Sequence, residues 1–359
     1  MSNAPPSATD PRVGQTLNGK WRVDRLIDVG GMGAVYAATH RNGRRAAIKV
    51  LHAHFAHHPE VKSRFLREGY VANRIGHPGA VAVLDDDVAE DGSPFLVMEL
   101  LEGESLAAWT ARSGGRLSVA ETLAVAGQVL EVLAAAHKNG VIHRDIKPGN
   151  VFVTKTGHAK LLDFGLARIR DTQTSLVPTA VGTVMGTAGY MAPEQARGQQ
   201  DQVDARSDVF AVGAVVFRTV SGRRIHERAT PFDVSLAAMK DPATSLAVVM
   251  PAAGKALVAA VDRALAFKKE ERWQSAEEMF QALRRAYEEL PGMAVAPPPS
   301  HDSAEIPVEL ASTDAPSLVI DVTFGSQHDD AVARERKRTL ELIEEMSSLG
   351  LARAPDSKT

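Results

Sequence analysis

The chain has 359 residues, enough for one large two-lobed domain plus a tail, and 44% of them are apolar, an ordinary share for a protein with a sizeable core. A formal charge of −3 argues against a dominant nucleic-acid or anionic-membrane surface, and the lack of cysteine excludes disulfides and thiolate metal sites. The N-terminal MSNAPPSATDPR lacks the apolar centre of a signal peptide, and no uncharged apolar run reaches about 18 residues, so the chain is read as cytoplasmic and without a membrane span.

Residues 1–15 are rich in Pro, Ser and Ala and are expected to be disordered. From Trp21 to Met98 the pattern is mainly strand. WRVDRLI alternates, AVYAATH follows a glycine cluster, and Asn42-Gly43 marks a hairpin turn before RRAAIKVL. EVKSRFLREGYVANR (60–74) reads as one helix closed by Gly76 and Pro78, and AVAVLD and PFLVMEL read as strands around the Asp91-Gly92 turn. From about Ser105 the period becomes helical. Ser118 is placed to cap a long helix, VAETLAVAGQVLEVLAAAHKNG, that Gly140 ends; residues 204–221 and 275–290 are further helices. A strand-rich front (16–100) and a helix-rich back (101–290) give an α+β class with two lobes. Residues 291–328 form a Pro/Ser/Ala-rich linker, 329–350 a short charged helix with a narrow apolar stripe, and 351–359 a disordered end.

The chemistry-bearing residues occur in order along this frame. DVGGMGAVY (28–36) holds Gly30, Gly31 and Gly33. Such a cluster fits a Rossmann turn or an ordinary hairpin, but a Rossmann turn needs a helix directly after it, and here β-branched AVYAAT follows. A hairpin lid over phosphates fits better, because glycine lets backbone N–H groups approach an anion closely. AAIKV (46–50) places Lys49 in a strand, either at an edge or buried against an anion that Glu68 on the next helix can supply. HRDIKPGN (143–150) packs a carboxylate, two cations and an amide into one forced loop. Asp145 suits acceptance of a hydroxyl proton, Lys147 neutralisation of a moving phosphoryl group, and Asn150 a metal ion. LLDFGLA (161–167) adds Asp163, a suitable Mg²⁺ ligand. The histidines of LHAHFAHHPE and the ERKR run (335–338) are read as solvated stretches rather than a metal site and a docking patch.

Taken together, GGMGAVY, AAIKV, RFLREG, HRDIKPGN, DFG and GTAGYMAPE resemble the protein-kinase family, in its bacterial eukaryotic-like (Hanks-type) serine/threonine branch, over residues 20–290. The resemblance implies a two-lobed fold that binds ATP and Mg²⁺ (or Mn²⁺) and phosphorylates Ser and Thr hydroxyls of proteins. It implies a nucleotide site of Ile27, Gly30, Gly31, Gly33 and Val35, with Lys49, Glu68 and Asp163 at the phosphates. The adenine would sit at Met98, Glu99 and Leu101, with Ala47 above and Phe152 below. Asp145, Lys147, Asn150 and Thr187 would be catalytic, and Asn150 and Asp163 would hold the metal. Glu194 would pair with Arg272, and Asp208 would anchor the catalytic loop. Arg144 implies control by phosphorylation of a loop between two transiently paired molecules; Thr179 and Thr183 are favoured over Thr172, Thr174 and Ser175. One departure stands out: Asp28 occupies the place of the loop's first glycine. A catalytically weak nucleotide-binding scaffold is therefore the alternative, against which the full catalytic set argues.

Overall fold

The computed structural model describes residues 10–164 and 188–290, apart from the side chain of Glu68. The N-terminal lobe is a six-stranded antiparallel sheet in the order β1-β2-β3-β4-β6-β5. Its strands are β1 (Thr16–Leu17), β2 (Trp21–Val29), β3 (Gly33–His40), β4 (Arg45–Leu51), β5 (Val83–Val88) and β6 (Pro94–Met98). Alternation sends Trp21, Val23, Tyr36, Ile48 and Val50 to an outer core with Phe95 and Val97. Leu51 and Leu96 face an inner core, where Phe65 from α2 (Pro59–Gly69) packs beside Val83 and Met32. A short α1 (Ala53–Ala56) precedes α2, and α3 (Val71–Ile75) follows it. The single helix read over 60–74 is thus two segments meeting at Tyr70, whose N–H reaches the carbonyl of Leu66 at a long 3.4 Å.

Residues 10–15, read from composition as disordered, are folded onto the sheet. Gly14 N–H donates to Val23 O (2.8 Å), and Val23 N–H donates to Gln15 O (2.8 Å). Arg12 pairs with Asp91 (2.5 Å), and the Tyr36 hydroxyl lies 3.2 Å from both oxygens of Asp10. Sparse apolar content hid this strap, because polar bonds hold most of it and Val13 alone among 10–15 packs on the outer core.

The C-terminal lobe is helical. Its centre is α5 (Val119–Lys138), apolar on nearly every face because α4 (Leu106–Arg112), α7 (Ala205–Ser221) and α11 (Ala276–Glu288) share its core. Ser118 caps α5 as the sequence suggests: its Oγ accepts from Glu121 N–H (3.2 Å), while the Glu121 carboxylate accepts from Ser118 N–H (2.9 Å). Gly140, at φ +69°, takes the left-handed turn that lets the chain leave the helix. Among the described residues α5 is also the one helix long and apolar enough to cross a membrane, but 61% of that stretch is buried inside this lobe. The remaining helices are α6 (Pro193–Ala196), α8 (Pro231–Lys240), α9 (Leu246–Val249) and α10 (Lys255–Ala264). A small sheet, β7 (Gly103–Ser105), β8 (Val151–Thr154) and β9 (Ala159–Leu161), lies between the segment after β6 and the helices.

Candidate active site

The loop between β2 and β3 is a tight hairpin closed by Gly30 N–H to Gly33 O (2.8 Å). A Cβ on Gly33 would stand 2.2 Å from the carbonyl oxygen of Val50, so this glycine is required by the neighbouring strand whatever the loop binds. Asp28 lies opposite Val35, is exposed, and turns its carboxylate back to accept Val29 N–H at 2.8 Å. Ile27 and Val35 are half-buried apolar side chains at the same hairpin.

Ala47 pairs across β4 and β6 with Met98, which puts a small buried side chain beside the chain segment 98–101. Met98, Leu101 and Phe152 are each half-buried. The Glu99 carboxylate is already engaged: it accepts Ala82 N–H at 3.0 Å and pairs with Lys160 at 2.8 Å. Glu99 therefore fastens this segment by its side chain, which leaves only its backbone groups for any further contact.

Lys49 is buried, and its ammonium pairs with Asp163. The side chain of Glu68, expected as a partner of Lys49, lies outside the described residues, as do Thr187 and the threonines 172–183. Asp163 has a left-handed backbone (φ +59°), a conformation costly for a side chain with a Cβ and held here by its surroundings. Its neighbour Phe164 is buried on the ring of His143, with centroids 4.6 Å apart.

The polar residues of the 143–150 loop converge. The Asp145 carboxylate accepts Lys147 Nζ at 2.9 Å and Asn150 Nδ2 at 3.0 Å, and Asn150 Nδ2 also reaches Asp145 O at 2.7 Å. Leu162 N–H donates to Asn150 O (2.9 Å), so Asn150 and Asp163 leave the same end of the β8–β9 ladder. With Nδ2 committed to Asp145, the remaining ligand atom of Asn150 is its amide oxygen. Two hard oxygen donors on adjacent strand ends suit a small divalent cation that keeps water and phosphate ligands. No group of three or more His, Cys, Asp or Glu that could form an all-protein cage occurs among the described residues, the histidines 52–58 included.

Asp208, on α7, fixes this loop from behind. Its Oδ2 accepts His143 N–H (2.9 Å) and His137 Nε2 (2.8 Å), and its Oδ1 accepts Arg144 N–H (2.8 Å). Burial opposes its charge, but the His137 bond and the nearby histidines outweigh that and hold its pKa below the usual carboxylate range. These bonds stabilise Arg144 at φ +68°. His143 Nε2 donates to Leu162 O (2.8 Å) and its Nδ1 accepts Asp145 N–H (3.3 Å), which fixes the tautomer and ties the loop to the strand before Asp163. Gln195 on α6 donates to Arg144 O (2.9 Å). Below it, Glu194 receives Arg272 through two bonds of 2.7 and 2.9 Å, with the Ser207 hydroxyl at 2.6 Å. Burial raises the Glu194 pKa, but the Arg272 bonds more than offset this and leave it lowered. Sequence reasoning missed His137, Gln195 and Lys160; each acts on a residue more than 50 positions away, and none sits in a motif.

The family model for the protein kinase domain matches residues 21–287. The chain belongs to the protein-kinase family. It is 40% identical to the serine/threonine-protein kinase Pkn1 of Myxococcus xanthus over 293 residues, which cover 79% of this chain and 40% of that protein. It is 41% identical to the serine/threonine-protein kinase PknA of Mycobacterium tuberculosis over 246 residues, 67% of this chain and 56% of that one. The chain thus spans about half the length of these curated relatives. Among solved structures, the Mycobacterium tuberculosis PknI kinase domain matches with a TM-score of 0.58 at 28% identity, covering 80% of this chain and 100% of that domain. These likenesses place it in the bacterial Hanks-type branch, whose members use ATP and a divalent metal.

Proposed function

We propose that this chain is a protein serine/threonine kinase that moves the γ-phosphoryl group of ATP to protein hydroxyls. The observation that carries the reading is the Asp145–Lys147–Asn150 cluster, held on a loop whose backbone Asp208 fixes. Asp145 orients the attacking hydroxyl and takes its proton, and Lys147 offsets charge on the phosphoryl group in flight. Lys49 and Glu68 hold the nucleotide; the glycine hairpin covers it; Ile27, Val35, Ala47, Met98, Leu101 and Phe152 enclose the adenine. Asn150 and Asp163 would hold the metal, Mg²⁺ by the hardness of the donors, and it would supply positive charge against that of the phosphates. Catalysis is then mainly positioning and charge stabilisation, and it needs no covalent intermediate.

The kinase domain spans 16–290 in this reading, and the protein works in the cytoplasm. Thr179 or Thr183 is phosphorylated between two transiently paired molecules, with Arg144 donating charge-assisted hydrogen bonds to the new phosphate. In the structure the Arg144 guanidinium touches only the neutral Gln200 amide oxygen, at 3.4 Å, among the contacts described. Purified protein incubated with labelled ATP and Mg²⁺, beside Asp145→Asn, tests the activity. Label on the wild type alone is expected, and equal label on both would overturn the reading. Peptide mass spectrometry of the active wild type tests the control: phosphate nowhere from 166 to 186 rules it out.

A further inference from the structure

The histidines after β4 were set aside above as a metal site, yet one of them touches the glycine hairpin. His52 Nε2 lies 2.9 Å from the carbonyl oxygen of Gly30. A carbonyl only accepts, so Nε2 carries the proton and donates. The same residue donates its backbone N–H to Met32 O at 2.9 Å. His52 thus grips the hairpin on both sides of Gly31. His54 stacks on the His52 ring (centroids 5.6 Å apart, planes at 17°), which restricts its rotation.

The direction of this grip matters. Val50 belongs to the outer core of the sheet and Leu51 to the inner one, so Lys49 shares the inner side with Leu51. His52 leaves the strand in a polyproline-like conformation (φ −59°, ψ 140°), which turns its side chain away from that of Leu51 and so away from the inner side. In a planar trans peptide the carbonyl of one residue and the N–H of the next point in opposite directions. A Gly30 carbonyl held toward His52 therefore turns the Gly31 N–H toward the side of Lys49.

We propose that His52 is a positioning residue that pins the Gly30–Gly31 peptide so that the Gly31 N–H is aimed at the phosphates of the nucleotide. This rests on the kinase reading above. The described bonds of His52 go to Gly30 and Met32, and none goes to the residues assigned to the adenine. ATP and adenosine therefore separate it from a general role in folding.

The test compares the full chain with His52→Ala, His52→Phe (ring kept, donor lost) and His52→Gln (donor kept), each checked by thermal melting and by titration with ATP and with adenosine. His52→Ala and His52→Phe are expected to weaken ATP about three- to tenfold, the worth of one hydrogen bond. Adenosine binding should stay unchanged, and His52→Gln should restore ATP affinity. ATP binding unaltered in both donor-lacking variants overturns the pin and leaves the kinase reading intact. Equal loss for ATP and adenosine, or no recovery in His52→Gln, assigns the residue a structural role and also overturns it. Wild type that binds neither nucleoside nor ATP overturns the kinase reading, and the pin with it.

Discussion

Lys49 and Asp28 show how differently one charge acts at two depths. Lys49 is buried and paired, so its ammonium is little screened and its removal is felt directly. Lys49→Met keeps most of the volume and is expected to remove nearly all phosphoryl transfer while circular dichroism and melting remain close to wild type; near wild-type kcat would contradict the role assigned to it. Asp28 is exposed, and water and ions weaken its repulsion of a triphosphate. Asp28→Gly is expected to lower the KM for ATP by about fivefold at most, since rim repulsion is roughly 1 kcal/mol or less. Asp28→Asn separates the causes, because an amide oxygen can still accept Val29 N–H while the charge is gone. A KM that falls in both variants identifies charge; one that falls only with glycine identifies the stiffness of the hairpin. The sequence alone left Asp28 ambiguous, for nothing in a one-dimensional pattern says where a carboxylate turns.

At the scale of the element, α5 carries an interior flaw. The Thr122 hydroxyl is buried without a hydrogen-bond partner among the described residues, beside a void of about 10 Å³ lined by Leu106, Val125, Ile146 and Val216. So small and apolar a space does not suit a water. Thr122→Val exchanges the hydroxyl for a methyl group of the same shape and should stabilise the protein by about 1 kcal/mol. A denaturant midpoint that stays put or falls would show that the hydroxyl is satisfied in solution. The ends of α5 were legible before the structure, since Ser118, Glu121 and Gly140 act on their own neighbours in the chain. The clustering of Asp145, Lys147 and Asn150 was legible for the same reason: they lie within one six-residue stretch and bond to one another. The break at Tyr70, the strap at 10–15 and the grip of His52 were not, because each depends on a strand that arrives later in the sequence or from another part of the sheet.

For the whole molecule, acid is the expected weakness. Burial pushes the His226 pKa down, with Arg228 adding to this and Asp241 opposing it, so the folded protein holds a neutral ring that the unfolded chain protonates near its ordinary 6.5. The unfolded state then binds more protons, so this contribution is complete above pH 6.5 and is lost as pH falls through that value toward the lower folded one. Asp208 and Glu194, both lowered in the fold, add a second loss as pH falls below their ordinary 3.8 and 4.5. Urea midpoints measured from pH 8 to 2 should therefore fall in two stages, and His226→Gln should flatten the upper one; a flat profile from 7 to 5 in the wild type would refute its origin in His226. One further feature acts across both lobes. Leu161 N–H donates to Gly79 O (2.7 Å), Val81 N–H to Leu161 O (3.3 Å), and Asn139 to Ile75 O (3.4 Å). These bonds rivet the stretch leading into β5 to the strand and helix beneath it. Amide exchange at Leu161 should accordingly be much slower than at Gly30, and equal rates would mean that the rivet opens. A sheet fastened along one margin swings like a shutter. With strands about 4.8 Å apart and the order β5-β6-β4-β3-β2, a rotation about that margin carries the glycine hairpin between β3 and β2 one and a half to two times as far as Lys49 on β4, so the lid moves further than the lysine it covers.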